Sequence, residues 1–285
     1  MTLGQEFGSY AVMVGEDADR LGEAASLVAE INLGGTAIGT GLNAHQGFAE
    51  AACEELRAVT ELPLVTAADL VEATQDVGSF VQLSGVLKRT AVKLSKICND
   101  LRLLSSGPRA GLGEINLPSV QAGSSIMPGK VNPVIAEVVN QVAFEVVGND
   151  ITISMAAEGG QLQLNAFEPI IAHSLFESLT HLTAACDILR TRCVTGITAN
   201  VARMRATVDH SVGLATALNR YIGYDAATRL AADALESDSD VASLVLDRGL
   251  LTASELATIL RPENLTGPWR ERDESTRTPS ASPSH

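Results

Sequence analysis

The chain has 285 residues, a formal net charge of −14 at pH 7 and an apolar content of 46%. This length is ample for a buried core and is typical of about two domains, and the apolar content excludes an intrinsically disordered chain. The negative charge argues against nucleic acid or an anionic membrane surface as a partner, although a local cluster of donors can still bind a small dianion. No apolar run reaches the length of a membrane span, and the start does not read as a signal peptide.

The first predicted element is a long helix at the start of the chain. Apolar residues recur at threes and fours from Leu3 to Val28, as one face of a helix requires, and Thr2 and Gln5 have the spacing of a capping box. The glycine-rich segment 34–41 follows. Because it lacks the lysine of a phosphate-binding loop, a tight turn is predicted there rather than a nucleotide site.

Three further long helices are predicted in the middle of the chain. Apolar side chains recur with helical spacing over 83–104 and again over 171–193. The segment 134–155 is rich in β-branched residues, which favour strands, but its length without a turn signal indicates a helix that is buried on more than one side. Long antiparallel helices of this kind form a bundle, so the predicted fold is all-α. A helix that is apolar on several sides needs neighbours on each, and a homo-oligomer is therefore expected.

The C-terminal part of the chain has shorter predicted helices. Thr252 and Glu255 have the spacing of a capping box, which marks a helix start before Leu256. The last residues are rich in Pro, Ser, Thr and Arg and are predicted to be disordered. The predicted organisation is a long-helix bundle over 1–195, a small helical domain over 196–266 and a disordered tail over 267–285.

Cysteine and histidine usage indicates no metal centre. The four cysteines lack zinc-ligand spacing and are too sparse for a disulfide framework, so a reducing cytoplasm is the expected compartment. Cys186 and Cys193 lie a heptad apart within an apolar stripe and are predicted to pack in the core. His173 and His181 are predicted to be polar-face or packing residues of one helix. Neither a metal nor a cofactor is predicted.

The segment 123–132, Gly-Ser-Ser-Ile-Met-Pro-Gly-Lys-Val-Asn, concentrates groups that bind an anion. It combines two hydroxyls, backbone N–H groups at glycines, a lysine and an amide. Pro133 is predicted at the first position of the next helix with Asn132 as its cap, so that a helix N-terminus faces the same spot. The alternative is an ordinary turn with a solvated lysine, because no base that would activate a loop serine is visible nearby.

Residues 123–137 resemble the signature loop of the aspartase/fumarase superfamily. Further segments resemble its aspartate ammonia-lyase branch, namely 96–109, 114–118, 138–142 and 160–165. The resemblance implies a tetramer with a shared helical core and sites shared between subunits. It also implies elimination of ammonia from L-aspartate to give fumarate through an aci-carboxylate intermediate. A class II fumarate hydratase and a non-catalytic subunit that only assembles are the alternatives.

By the same resemblance, two residues would carry the chemistry. Ser124 would be the general base, and Glu137 would orient a catalytic histidine. For Glu137, the alternative is a first-turn glutamate that stabilises its own helix through the dipole. Four residues would contact the substrate: Ser125 at the β-carboxylate, Lys130 and Asn132 at the α-carboxylate, and Leu164 close by. Two glycines would be the hinges of a lid, Gly123 and Gly129.

The resemblance also implies a missing segment. In relatives, the residues that match Met1–Phe7 lie inside the chain, shortly after the motif with the catalytic histidine. None of the five histidines here matches that motif. The chain is therefore expected to correspond to the C-terminal portion of an aspartate ammonia-lyase, truncated at its N-terminal side, with little or no turnover alone.

Overall fold

The computed structural model describes residues 1–121, 127 and 129–267. Within these residues, eleven α-helices account for nearly all of the regular structure. The helices are α1 (Leu3–Leu27), α2 (Phe48–Thr60), α3 (Gly78–Leu104), α4 (Val134–Glu158), α5 (Glu168–Arg192), α6 (Val201–Asp209), α7 (Leu214–Ile222), α8 (Tyr224–Ser237), α9 (Val241–Asp247), α10 (Ala253–Ile259) and α11 (Pro262–Leu265). The predicted all-α fold is confirmed.

One short 3₁₀ helix (Val194–Gly196) and four two-residue strands complete the secondary structure of the described residues. The strands are β1 (Glu30–Ile31), β2 (Val65–Thr66), β3 (Ile115–Asn116) and β4 (Thr198–Ala199). Strands β1 and β2 pair in parallel, and β3 and β4 pair antiparallel. None of the described helices combines the length and the apolar character that a membrane crossing requires.

The chain divides into two compact units. One unit comprises Gly8–Val201 and contains the long helices. The other combines Met1–Phe7 with the chain from Ala202 onward and contains the short helices. The predicted domain boundaries at 195 and 266 stay predictions. The disorder predicted for the tail falls on residues 268–285, which lie outside the described residues.

Polar contacts set the register of the long helices. Between α1 and α3, the Tyr10 hydroxyl donates to the Asp100 carboxylate at 2.8 Å. Between α3 and α4, the Ser84 hydroxyl donates to Asp150 Oδ1, also at 2.8 Å. In each pair of neighbouring helices, a residue further along one helix contacts a residue earlier in the other. The contacts between α4 and α5 show the same trend. Neighbouring helices are therefore antiparallel, as in a bundle.

Apolar side chains fill the space between these helices. Leu101 of α3, Ile153 of α4 and Ile171 of α5 are each at most 1% exposed. Complete burial of one such side chain contributes about 1.5–3 kcal/mol. Burial of this kind, repeated along three adjacent helices, holds α4 against α3 and α5.

Helix α4 is apolar on two sides but buried on one. Its buried residues share one face, whereas Phe144, Ile151 and Met155 are 67%, 60% and 65% exposed. In a single copy one apolar side is uncovered, and the prediction that this helix is buried on more than one side stays a prediction for the assembly. That side is uncovered because α3 and α5, its two main neighbours, cover only one of its faces.

Both predicted capping boxes are present. The Gln5 backbone N–H donates to the Thr2 hydroxyl at 3.1 Å, and the Thr2 N–H donates to the Gln5 side chain at 2.9 Å. Thr252 and Glu255 make the same reciprocal pair at the start of α10. In both cases two backbone donors that the helix leaves unsatisfied find a side-chain acceptor.

The start of α4 differs from its prediction. Pro133 is the N-cap residue, with a ψ of 49° that is not helical, and its carbonyl accepts the first helical bond from the Glu137 N–H at 3.0 Å. The predicted cap, Asn132, lies one position too early to receive the free N–H groups of the first turn. The prediction that Asn132 caps this helix is wrong, and no side chain replaces it as a cap.

The glycine-rich segment 34–41 forms the predicted tight turn. Gly34 and Gly39 have φ angles of 100° and 87°, which side chains rarely adopt. A Cβ at Gly39 would lie 2.3 Å from the Leu70 carbonyl oxygen. The glycines therefore allow two chain segments to approach closely.

Candidate active site

The anion-binding segment predicted from the sequence is described in part. Met127, Gly129 and the residues from Lys130 onward belong to the described structure. Gly123, Ser124 and Ser125 lie outside it. The geometry that follows therefore concerns the lysine, the amide and the helix start, and the roles of both serines stay predictions.

A tight turn leads from Met127 to the start of α4. The Lys130 backbone N–H donates to the Met127 carbonyl at 3.2 Å, and Gly129 has a positive φ of 81°. A Cβ at Gly129 would meet nothing within 4 Å, so the backbone angle alone favours glycine here. This angle gives Gly129 a physical reason to be glycine, and the hinge role stays a prediction.

The first turn of α4 presents free backbone donors directly after Lys130 and Asn132. Because no side chain caps this helix, the N–H groups of Val134, Ile135 and Ala136 have no partner within it. The side chains of Lys130 and Asn132 are half-buried. Among the described residues, no carboxylate lies within 4.0 Å of the Lys130 ammonium. A cation, an amide and a helix N-terminus are thus brought together, and each of them favours an anion.

The hollow beside this turn is too small for a substrate. It has a volume of about 10 Å³. Its walls are formed by Leu117, Pro118, Val120, Asn132, Pro133, Val134, Ile135, Ala136, Arg192 and Cys193. A volume of that size holds about one water molecule, so a dicarboxylate does not fit in this hollow.

Glu137 lies in the first turn of α4 and is half-buried. None of the histidines in the described residues pairs with its carboxylate. His181 Nδ1 lies 2.8 Å from Glu145 Oε2, and His173 Nε2 lies 3.9 Å from Glu177 Oε2. Both histidines are at least partly solvent-exposed on α5, in agreement with the polar-face prediction.

Leu164 lies at the other end of α4. It follows this helix in a short loop, where it forms an isolated antiparallel bridge with Gln161, and it is 50% exposed. Helix α4 has 25 residues. At about 1.5 Å per residue it separates Leu164 from Lys130 by more than about 30 Å. The structure therefore brings Lys130, Asn132 and Glu137 near one another, but not Leu164.

The cysteines differ in burial and hence in reactivity. Cys53, Cys98 and Cys193 are buried, whereas Cys186 is exposed. The prediction of core packing is therefore right for Cys193 and wrong for Cys186, because Cys193 lies past the end of α5 with non-helical backbone angles, so heptad spacing does not put the two side chains on one face. Burial, with Cys193 and Cys186 nearby, raises the pKa of the Cys98 thiol to about 12.

A cysteine with so high a pKa is neither a nucleophile nor a ready metal ligand at neutral pH. Within residues 1–121, 127 and 129–267, no group of three or more His, Cys, Asp or Glu side chains could hold a metal ion.

One buried polar residue near the site was not singled out from the sequence. Asn140 lies one turn after Glu137 on α4 and is 3% exposed. Its amide contacts three residues of α3. The available signal is an amide at a position that helical spacing places among the apolar residues Ala136, Val139 and Ala143, since buried amides need hydrogen-bond partners.

Residues 1–148 match a family model described as Lyase, and residues 214–267 match one described as Fumarase C C-terminus. The chain is 62% identical over 269 residues to an aspartate ammonia-lyase of Pseudomonas aeruginosa. It is 53% identical over 268 residues to an aspartate ammonia-lyase of Escherichia coli. Both matches cover 94% of this chain, but 57% and 56% of the relatives. The chain thus spans a little over half the length of the curated relatives it matches.

Solved structures show the same fold at similar coverage. A fumarate lyase:delta crystallin from Brucella melitensis, solved bound to cobalt, is 54% identical with a TM-score of 0.91. It is matched over 94% of this chain and 58% of that one. A class II fumarase from Schistosoma mansoni is 34% identical with a TM-score of 0.87, over 92% of this chain and 58% of that one.

Proposed function

The chain belongs to the lyase family whose model it matches over residues 1–148, and from that premise we propose that it acts in the elimination of ammonia from L-aspartate to give fumarate. The observation that carries the proposal is the 53–62% identity to aspartate ammonia-lyases along 94% of the chain. Identity to the class II fumarase is 34%, so a fumarate hydratase is the second candidate.

The proposed reaction places a growing negative charge on the substrate. A base takes a weakly acidic proton from the carbon beside the β-carboxylate, which becomes a doubly charged aci-carboxylate. The electron pair then forms the carbon–carbon double bond as ammonia leaves. Each donor aimed at the developing charge contributes about a hundredfold to a thousandfold in rate. A segment rich in hydroxyls and backbone N–H groups suits this demand.

In the proposal, two serines, a lysine and an asparagine share the removal of the proton and the binding of the two carboxylates. Ser124 is the base and Ser125 holds the β-carboxylate, and both assignments rest on the family resemblance. Lys130 and Asn132 hold the α-carboxylate, one through its charge and the other through directed hydrogen bonds. The position of these two residues directly before the uncapped start of α4 supports that role.

Glu137 has a different role in the proposal. Its carboxylate orients a histidine that acts on the substrate, and this histidine comes from outside the residues described. The support is indirect: the histidines nearest in sequence pair with Glu145 and Glu177 instead. If the histidine partner does not exist, Glu137 is left with the favourable charge–dipole interaction of a first-turn carboxylate.

We infer that the protein works as a homo-oligomer, a tetramer by resemblance, in the reducing cytoplasm. Lys130 and Leu164 lie too far apart to contact one substrate within one copy, which supports sites that are shared between subunits. Phe144, Ile151 and Met155 of α4 and Phe176 of α5 are all at least 60% exposed. Contiguous apolar surface of this kind marks a protein interface. The four cysteines are free, which agrees with a reducing compartment.

The activity is tested by following fumarate formation from L-aspartate by ultraviolet absorbance. Since the chain spans little more than half of its relatives, it is assayed alone and together with the N-terminal segment of the Pseudomonas aeruginosa relative. We expect fumarate in the second arm. Lys130→Met should raise the KM for L-aspartate by about tenfold or more, because a charge-assisted contact to the α-carboxylate is lost.

The matched control for that substitution is Arg20→Met, since Arg20 forms an exposed ion pair with Glu23 at 2.6 Å on α1. It should leave the KM unchanged. Faster conversion of L-malate than of L-aspartate would favour the hydratase. No fumarate in either arm would leave only the assembly role.

Assembly is tested separately by sedimentation velocity. Phe144→Glu places a charge on the exposed face of α4 and should shift the protein toward the monomer. Leu235→Glu is the control, because Leu235 is 70% exposed on α8 in the other unit. A wild-type chain that sediments as a monomer at all concentrations would contradict the oligomer.

A further inference from the structure

The buried amide of Asn140 is satisfied entirely by helix α3. Its Nδ2 donates to the Ser95 hydroxyl at 2.8 Å, to the Ser95 carbonyl at 3.1 Å and to Asn99 Oδ1 at 3.1 Å. Its Oδ1 accepts a hydrogen bond from Arg102 Nη1 at 3.1 Å. Ser95, Asn99 and Arg102 recur at i, i+4 and i+7, so they form one stripe along α3. We call Asn140 and this stripe the amide clasp.

Neither aspartate nor leucine would satisfy the amide clasp. Aspartate would accept from Arg102 but could donate neither to Ser95 nor to Asn99, and leucine would leave all three without their partner. Asn140 is buried and Ser95 is half-buried, whereas Asn99 and Arg102 are exposed, so water partly replaces a lost partner and the main loss is the tie between the two helices. The clasp therefore ties the second turn of α4 to the last three turns of α3 at one register.

Glu137 depends on this tie because of its place on the helix. Residues i and i+3 lie on the same side of a helix, so the side chains of Glu137 and Asn140 are neighbours. The start of α4 has no side-chain cap, and in the turn before it the Lys130 backbone N–H donates to the Met127 carbonyl at 3.2 Å. The clasp is the first polar side-chain contact to another helix that α4 makes within the described residues.

Arg102 adds a charge to the same place. It lies in the last turn of α3 and is exposed, and no carboxylate within the described parts of the chain lies within 4.0 Å of its guanidinium. Its Nη1 is held by the oxygens of Asn140 and Asn99, at 3.1 Å and 3.4 Å. The amide clasp thus orients a cation beside the turn of α4 that carries Glu137.

We propose that Asn140 is a positioning residue for Glu137, through the amide clasp that fixes the second turn of α4 on Ser95, Asn99 and Arg102. The proposal rests on the proposed function, in which the Glu137 carboxylate orients a catalytic histidine. Loss of the clasp lets the first turns of α4 move, and the carboxylate then spends less time facing its partner.

The kinetic test asks whether Asn140 acts through Glu137. In the two-component fumarate assay, Asn140→Ala should lower kcat by about tenfold with the KM changed by less than about twofold. In a Glu137→Gln background the same substitution should lower kcat by less than about twofold, because residues that act as a unit are not additive. An equal loss in both backgrounds overturns the proposal, since a general loss of structure would act in either.

Two further variants separate loss of the amide clasp from the loss of any buried amide on α4. Asn149→Ala is the matched control: it removes an amide from the same helix, bonded at 3.1 Å to the Ser178 hydroxyl, and should leave kcat unchanged. Arg102→Met removes one exposed partner of the clasp without emptying the core. It should lower kcat in the same direction as Asn140→Ala, and an unchanged kcat counts against the proposal.

Hydrogen exchange separates failure of this proposal from failure of the proposed function. In the 285-residue chain, Asn140→Ala should speed exchange of the backbone amides of residues 137–143 by about tenfold or more, whereas Asn149→Ala should not. Unchanged exchange overturns the positioning role even when the enzyme is active. Absence of fumarate overturns the proposed function alone, because the exchange result still decides whether Asn140 fixes α4.

Discussion

Asp17 provides a quantitative test of how the first long helix is held. This carboxylate lies on α1 with its side chain 3% exposed, and two cations of α3 approach its Oδ1. Arg89 Nε lies at 3.2 Å and Lys93 Nζ at 3.0 Å. Neither contact has hydrogen-bond alignment, so the interaction is chiefly Coulombic. Glu16, the neighbouring residue, contacts the same two cations at 3.4 Å and 3.3 Å but is 57% exposed.

The two carboxylates therefore differ in burial while sharing their partners. Breaking a fully buried ion pair costs about 3–5 kcal/mol. Arg89 and Lys93 keep 38% and 19% of their side-chain surface exposed, so water partly replaces a lost carboxylate. We expect Asp17→Asn to lower the free energy of unfolding by about 2–3 kcal/mol. Glu16→Gln should lower it by at most about 1 kcal/mol, as for other exposed pairs.

Urea unfolding followed by circular dichroism measures both variants. The chain has two compact units, so the relevant transition must be identified. Leu101→Ala marks it, since Leu101 is completely buried in the unit with the long helices. If Asp17→Asn is no more destabilising than Glu16→Gln in that transition, burial does not decide the strength of these pairs, and the reasoning is refuted.

Three further predictions concern single residues. Leu101→Ala should lower the free energy of unfolding by about 2–5 kcal/mol by leaving a cavity, measured in urea, and a loss below about 1 kcal/mol would contradict its burial. Thr252→Ala breaks the capping box of α10 and should cost about 1 kcal/mol in the transition that Leu101→Ala does not shift. The pKa of the Cys98 thiol is raised to about 12, so this thiol stays protonated at pH 8. At that pH, iodoacetamide should modify the exposed Cys186 before Cys98. Mass spectrometry that finds Cys98 modified first would contradict this.

The helices could be predicted from sequence because their signals are local. Apolar residues at threes and fours indicate α1, α3 and α5, and the length of the run from Val134 outweighs its β-branched content. The capping boxes at Thr2 and Thr252 need only two residues three positions apart. In each case the physical cause lies within a few residues of the element that it predicts.

Features that depend on distant residues could not be predicted in this way. Periodicity shows that α4 is apolar on two sides, but which side is covered depends on where α3 and α5 pack. Asn140 has a visible signal as an amide on the apolar face of the helix, yet its partners lie about 40 positions earlier on α3. The backbone angles of Pro133, which displace Asn132 from the cap position, are equally invisible in the sequence.

The candidate site also has features that can be predicted from local sequence and features that depend on distant residues. The chemistry of residues 123–137 is readable from residue types, and the roles of individual residues come from resemblance. The separation of Leu164 from Lys130 emerges only when α4 is seen to run unbroken for 25 residues. Because a helix of that length keeps Lys130 and Leu164 apart within one copy, a site that uses both residues needs more than one copy.

The most direct test of the central claim compares wild type with Ser124→Ala in the two-component assay on L-aspartate. If Ser124 removes the proton, the substitution should lower the rate of fumarate formation by about a hundredfold or more, while the circular dichroism spectrum stays unchanged. An unchanged rate would show that the proton is removed elsewhere, and the assignment of this segment to ammonia elimination would then be contradicted.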